Sequence, residues 1–520
     1  MRRLSVPVCA CLLAATWPAQ SAITLAPPFR DNAVLQRDKP IPVWGRAEPG
    51  EKVSVSFQGR TQATEADASG RWRVDLDPLP ASAEPADLTA AGSDTVRIRN
   101  VLVGEVWICA GQSNMAWTVQ HSLNGPQETA AASFPLIRHF KVPLKASAAP
   151  EESADGTWEI CSPETVGKFS AVAYFFGREL QRELRVPVGL LNISYGGSPI
   201  ESWMSEAALR NDPAFPAVTE RLKLAEARYP AQLKLYEQRL ADWRKANEAA
   251  EKAGKRPATR APLKPSGGGT VDRFTSSVLY HAMLHPFLPF AVRGILWFQG
   301  EANFLRSDEY RTLFPSMIRQ WRAEFGQGDL PFYYVQLANQ ARLSDTTGVQ
   351  FAFQRDAQSA ALALPNTGFA VTADIGDPED PHFKNKQEAG RRLALVALAK
   401  TYGRNLEFSG PSVRSIRKEQ DAFVVAFDHA EGLALRGEAP KSFELAGEDK
   451  VFHPATAKIE ADTVIVKSPA VPDPAAIRYA WHNNPGIVLY NAAGLPAAPF
   501  RSDTWPVPQS EPGRSPEDPE

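Results

Sequence analysis

The sequence predicts a three-layer α/β domain built on a parallel sheet and flanked by two small β-sandwich domains. Three observations lead there. The middle of the chain alternates near-continuous apolar segments with helical ones, the pattern of strands buried on both faces. Both ends instead show short period-two alternation broken by turn signals. The length, 520 residues, exceeds what one hydrophobic core serves and fits about three domains at roughly 150 residues each.

The first element is not part of the fold. Arg2 and Arg3, an apolar run over 6–16 and Ala19-Gln20-Ser21 ahead of Ala22 follow the order of a signal peptide, predicted over 1–21. The protein is therefore expected to be exported, periplasmic or secreted. That run is too short to cross a bilayer, and no other stretch is long and apolar enough, so no membrane span is expected.

Residues 22–100 read as the N-terminal β-sandwich. Alternating segments at 53–57 and 71–76 are separated by turns at Glu48-Pro49-Gly50 and Ala68-Ser69-Gly70. Residues 101–405 form the α/β domain, with strands predicted at 101–110, 188–194, 292–298, 331–337 and 368–373 and helices at 171–185, 307–325 and 386–401. Within it, 205–270 looks inserted. There Leu233, Tyr236, Leu240 and Trp243 lay one narrow apolar stripe on a charged helix, followed by a Lys-, Pro- and Gly-rich loop over 254–269. Residues 406–508 form the second β domain, with strands near 423–427, 463–467 and 476–481. The Pro-, Ser- and Glu-rich tail 509–520 is expected to be disordered.

Hydrophobic residues at 43% and charged residues at 22% are those of an ordinary globular chain. Loss of 1–21 removes two arginines and no acid, taking the net charge from −2 to −4. Nothing in that balance recruits nucleic acid. Cys9 and Cys11 lie in the leader. Cys109 and Cys161 remain, either paired in an oxidising compartment or, for Cys109, a free thiol on a core strand.

The chemistry gathers at four predicted strand ends, where open α/β sheets place their ligand sites. A buried strand runs into Gly111-Gln112-Ser113-Asn114-Met115; taken alone, this reads more readily as a turn in which Ser113 or Asn114 caps a helix. A second ends in Tyr195-Gly196-Gly197-Ser198, whose glycines let backbone N–H groups approach a ligand. A third ends in Gln299-Gly300-Glu301-Ala302-Asn303, and a fourth leads to Asp377-Pro378-Glu379-Asp380-Pro381-His382. Hydroxyl, glycine N–H, amide and imidazole are what acyl transfer needs. A histidine takes the serine proton, an acceptor orients the histidine, and fixed donors stabilise the oxyanion. The oxyanion candidates are the Ser113 N–H, the Gly197 N–H and the Gln299 side chain.

These segments resemble the sialate O-acetylesterase family of the SGNH hydrolase superfamily, from Asp31-Asn32-Ala33-Val34-Leu35-Gln36-Arg37 through to Gly494-Leu495-Pro496-Ala497. The most specific matches are Gly-Gln-Ser-Asn-Met, Trp297-Phe298-Gln299-Gly300-Glu301-Ala302-Asn303 and His382-Phe383-Lys384-Asn385-Lys386-Gln387. The resemblance implies an SGNH fold and a serine esterase that releases acetyl groups from a carbohydrate, with no cofactor. Ser113 is then the nucleophile, His382 the base, and Gly197 and Gln299 complete the oxyanion hole. The superfamily often sets its acid three residues before the histidine, which here is Glu379. Asp380 is favoured over Asp377 and Glu379 because a near neighbour reaches the imidazole without a loop excursion. Pro381-His382-Phe383 also departs from the usual aliphatic-His-Pro.

Asn114, Trp203, Glu301 and Asn303 are the expected substrate-pocket residues, Trp117 being the alternative to Trp203 as an aromatic wall. His281 and His285 have helical metal-binding spacing but no adjoining acid, so no metal is expected. Two rival functions are a general carboxylesterase or lipase, for which no amphipathic lid adjoins the motifs, and a carbohydrate-binding protein without turnover.

Overall fold

One strand, β1 (Thr95–Gly111), is 17 residues long and belongs to two neighbourhoods. Its first half pairs antiparallel with Ser82–Ala91 and parallel with Val34–Gln36. Its second half is the middle of a sheet that continues through β2 (Phe134–Lys141), β3 (Trp158–Cys161), β4 (Val188–Ser194), β5 (Gly294–Phe298), β6 (Phe332–Val335) and β7 (Thr367–Ala370). The spatial order is β3-β2-β4-β1-β5-β6-β7. Every neighbouring pair is parallel except the edge pair β3 and β2. This computed structural model describes residues 23–254, 261–262, 264–265, 271–341, 345–437 and 442–508. The leader, nearly all of the 254–269 loop and the tail lie outside the described residues.

The central strands read as continuous apolar runs because helices cover both faces. Trp107 and Cys109 of β1 join Leu190, Leu296 and Phe298 in one core, against α2 (Ala171–Leu184) and α6 (Lys386–Lys400). Their alternating neighbours Val106, Ile108 and Ala110 join Leu191, Ile193 and Trp297 in the other, against α4 (Ser307–Phe325). Other helices are the short α1 (Ser113–Ala116), α3 (Phe215–Lys252) and α5 (Gln350–Ser359), besides two single-turn helices at Gly125–Ala130 and Glu206–Arg210. Each fully buried side chain of Leu or Phe size contributes about 1.5–3 kcal/mol, so this two-sided burial dominates the stability of the sheet.

Apart from Val34–Gln36, the N-terminal strands pair antiparallel, but their apolar faces do not close on themselves. Val53, Val55, Trp72 and Val74 lie in the same core as Ile108 and Trp297. The expected boundary at 100/101 thus falls inside β1. The C-terminal strands do have their own core, around Val425, Phe427, Leu445, Val464 and Tyr479. They are docked by Arg355, whose buried guanidinium donates to the carbonyls of Leu337 and Ala338 (2.8 Å each) and of His482 (2.8 Å) and Asn483 (3.0 Å). With no acid among these partners, burial pulls its pKa down to about 9.

Several spans coincide with expectation, β4 and α4 to the residue. In the insertion, α3 leaves Leu233, Tyr236, Leu240 and Trp243 half-buried along a largely exposed helix whose buried residues are Val218 and Tyr229. Cys109 and Cys161 are free and buried, and burial raises both thiols, Cys161 to about 12. His281 and His285 each place Nδ1 on a backbone carbonyl, of Ser147 (3.2 Å) and Glu151 (2.7 Å). No cluster of three potential metal ligands occurs among the described residues. No helix among them is long and apolar enough to cross a membrane.

Candidate active site

Ser113 is presented by a turn that only glycine allows. Gly111 closes β1 at φ 139°, and a Cβ there would lie 2.1 Å from the Phe298 carbonyl oxygen of β5. The next residue, Gln112, donates its N–H to that same carbonyl (2.9 Å). Its side-chain oxygen accepts from the N–H groups of Gly300 (3.4 Å) and Ala302 (3.3 Å). Ser113 then opens α1 with its side chain half-exposed. Gly196 packs directly on it: a Cβ on Gly196 would be 3.5 Å from the Ser113 Cβ. Among the described residues, neither the Ser113 N–H nor the Gly197 N–H donates to another group.

His382 is held from the same short segment. Asn114 Nδ2 donates to the Pro381 carbonyl (3.0 Å), and Asn114 Oδ1 accepts from Lys386 Nζ (2.7 Å), which also donates to the Phe383 carbonyl (2.6 Å). The carbonyls on either side of His382 are thereby tied to the residue that follows Ser113. The Trp117 ring stacks on the imidazole, centroids 4.9 Å apart and planes 7° from parallel. Asp380 Oδ1 lies 3.3 Å from His382 Nδ1 and accepts the His382 backbone N–H at 2.8 Å. Asp377 accepts the Glu379 N–H (2.9 Å), an intraloop bond that shapes the turn. The loop is anchored at its start by Arg392, which grips both oxygens of Asp374 (2.6 and 2.8 Å) from α6.

Two residues expected at the substrate have other work. The Gln299 side chain is fully buried, and its amide donates to the Ser198 carbonyl (3.1 Å) and Asn303 Oδ1 (2.7 Å), so it is not directed at an oxyanion. Trp203 is also fully buried, donating Nε1 to Ser198 Oγ (2.9 Å) and lying edge-on to Trp297. Asn303 continues this chain inward: Oδ1 accepts the Ile200 N–H (3.0 Å) and Nδ2 donates to Glu201 (2.9 Å), which pairs with Arg221. Sequence position puts these side chains at strand ends; it does not say that they turn inward to brace the Tyr195–Trp203 loop. Asn114 is likewise buried rather than open to a ligand, whereas Glu301 is half-exposed.

The electrostatics are those of a desolvated pair kept apart. Glu301 Oε1 accepts from Asn114 Nδ2 (2.6 Å), while its other oxygen is buried without a partner. Burial pushes the Glu301 carboxyl above the usual carboxylate range and pulls the Lys386 ammonium well below its usual value, with Asn114 standing between them. Burial likewise lowers the His382 imidazole; Lys386 adds to that shift and Asp380 opposes it. A depressed histidine pKa keeps the ring neutral near pH 7, the form in which it can accept a proton. Lys386 was legible only as part of a motif, since nothing in its spacing announces a buried ammonium.

The same stretch of chain matches a family model. The model described as carbohydrate esterase, sialic acid-specific acetylesterase, covers residues 103–254 and 264–399. The mouse (Mus musculus) sialate O-acetylesterase is 30% identical across 91% of this chain and 93% of its own length. The human (Homo sapiens) sialate O-acetylesterase is 28% identical across 91% of each. The crystal structure of a carbohydrate acetylesterase from Xanthomonas citri superposes with a TM-score of 0.79 at 38% identity, over 93% of this chain and all of that one. With its serine at a strand end, a neutral histidine tied to the same turn and these relatives along its length, the chain belongs to the carbohydrate esterase family of sialic acid-specific acetylesterases and is an ester hydrolase.

Proposed function

We propose that the protein removes O-acetyl groups from a carbohydrate by a serine–histidine acyl-enzyme mechanism, on an SGNH-type three-layer domain with small β-sandwich domains at either end of the chain. The observation that carries this reading is the double tie from Asn114 to the carbonyls flanking His382, which fixes base and nucleophile relative to one another. His382, with Asp380 at Nδ1, takes the Ser113 hydroxyl proton at Nε2 as Oγ bonds to the acetyl carbonyl carbon. The negative charge that develops on the former carbonyl oxygen is met by the N–H groups of Ser113 and Gly197. The tetrahedral centre collapses, the C–O bond to the sugar breaks, and His382 returns the proton to the departing alkoxide. Water, deprotonated by His382, then releases acetate and restores Ser113.

Of the expected pocket residues, Glu301 is the one that keeps partial exposure as a residue, although its carboxylate is held by Asn114 and buried. Export, periplasmic or secreted, remains part of the proposal on the strength of the N-terminal sequence. The test is acetate release from acetylated sugars by the wild type, Ser113→Ala and His382→Ala. Both variants are expected to lose about 10³-fold or more in kcat. Retention of most activity by Ser113→Ala would sink the mechanism. Equal turnover of p-nitrophenyl butyrate and acetate would favour a general carboxylesterase instead.

A further inference from the structure

Buried guanidinium groups in this protein have acids to pair with or, at Arg355 and Arg138, carbonyl oxygens to donate to. Arg221 pairs with Glu201 and Glu309, Arg293 with Glu105, Arg392 with Asp374 and Glu388, and Arg478 with Asp503. Arg273 does not. It is half-buried, its Nε is sealed from solvent without a hydrogen-bond partner, and none of its nitrogens pairs with an acid among the described residues. Aromatic faces hold it instead, Phe274 at 4.4 Å and Tyr195 at 6.0 Å from the ring centroids. A guanidinium held without a counter-ion retains its full demand for an anion.

Its position gives that demand a direction. The guanidinium lies against the glycine pair that borders the nucleophile: a Cβ on Gly197 would be 3.3 Å from Arg273 Nε, and one on Gly196 would be 3.5 Å from the Ser113 Cβ. Tyr195, under the cation, is the first residue of the same turn. The residue that packs on the nucleophile and the residue that packs on the cation are thus neighbours in one short loop. A substituent of the sugar, rather than a remote chain, is what spans such a separation. The planar fork of arginine matches a carboxylate in two parallel hydrogen bonds.

We propose that Arg273 is a specificity-determining residue that binds a carboxylate carried by the acetylated sugar, and so selects acidic sugars over neutral ones. This rests on the assignment of Ser113 as nucleophile. The test compares kcat/KM for acetate release from O-acetylated sialic acid and from its carboxamide, which differ in charge alone, in the wild type, Arg273→Gln and Arg273→Lys. O-acetylated glucuronic acid and its amide form a second pair that separates a nonulosonic from a uronic carboxylate. p-Nitrophenyl acetate monitors the chemistry without a sugar.

The wild type is expected to prefer at least one acid over its amide by about tenfold or more. Arg273→Gln should abolish that preference through KM, Arg273→Lys should restore part of it, and turnover of p-nitrophenyl acetate should stay at the wild-type level. Equal wild-type kcat/KM for acid and amide in both pairs overturns the proposal. So does a loss in Arg273→Gln that is the same for acid, amide and p-nitrophenyl acetate, which would mark Arg273 as part of the oxyanion site or the fold. Failure of the underlying mechanism reads out separately, as p-nitrophenyl acetate turnover that survives Ser113→Ala.

Discussion

The half of strand β1 that runs through the central sheet has a buried carboxylate beside each of its ends, in opposite conditions. At the start of its central half, Glu105 is fully buried and accepts from Arg293 Nε (2.6 Å) and Nη2 (3.2 Å), from Arg37 and from Gln36 (3.4 Å). Burial alone would raise its pKa, but the hydrogen bonds and charges of Arg293 and Arg37 outweigh it and hold the carboxyl below its usual range. Past the other end, Glu301 has one partner, one buried orphan oxygen and a raised pKa. The first cluster is closed and belongs to the fold. The second is left open, and that openness lies where Ser113, Asn114 and His382 meet. Incomplete satisfaction of buried polar groups is destabilising, and it persists where chemistry needs it.

Breaking the closed cluster has the largest expected effect on stability. Glu105→Gln leaves Arg37 and Arg293 without their charge and should lower unfolding free energy by about 3–5 kcal/mol in denaturant titrations, with kcat of the folded fraction unchanged. Because the folded pKa of Glu105 is depressed, its contribution is present above the ordinary carboxylate range and is lost as pH falls through the folded value. The variant should therefore show a flatter loss of stability in acid. A kcat loss at neutral pH in a fully folded Glu105→Gln would mean that the two ends are not separate.

At the open end the losses should fall on turnover. Asp380→Asn removes the acceptor at Nδ1 and is expected to lower kcat by about 10²–10⁴-fold. Removing that negative charge should also carry the acid limb of the kcat/KM profile to lower pH. Asp377→Asn and Glu379→Gln should lose far less; a larger loss in either would reassign the acid. Lys386→Met releases the Phe383 carbonyl and should reduce kcat by about 10²-fold through displaced geometry. Its acid limb should move the other way, to higher pH, because Lys386 depresses the His382 pKa. A purely structural lysine would leave that limb in place. Trp117→Ala, which frees one face of the imidazole, should cost about tenfold.

Much of this was readable from residue pattern, and the remainder divides by physical cause. A continuous apolar run made β4 legible to the residue, and α4 was bounded as closely as one of the helical segments between strands. The long β1 was not, because its first residues alternate between exposed and buried like the N-terminal strands while the rest is buried on both faces. Strand ends pointed to Ser113, Gly197 and His382, since a glycine turn or a histidine among acids is visible in one dimension. The direction of a side chain is not: Gln299 and Trp203 stand at the right strand ends yet turn inward to Ser198. Arg273 follows a Lys-, Pro- and Gly-rich stretch and carried no signal, since lacking a counter-ion is a property of three-dimensional neighbours.

The contrast between the two ends is tested most directly by measuring acetate release and thermal unfolding on the same two variants, Ser113→Ala and Glu105→Gln. Ser113→Ala should unfold with the wild-type midpoint and release almost no acetate, whereas Glu105→Gln should unfold early and, while folded, turn over normally. Near wild-type acetate release by folded Ser113→Ala would contradict the assignment of chemistry to this end of the strand.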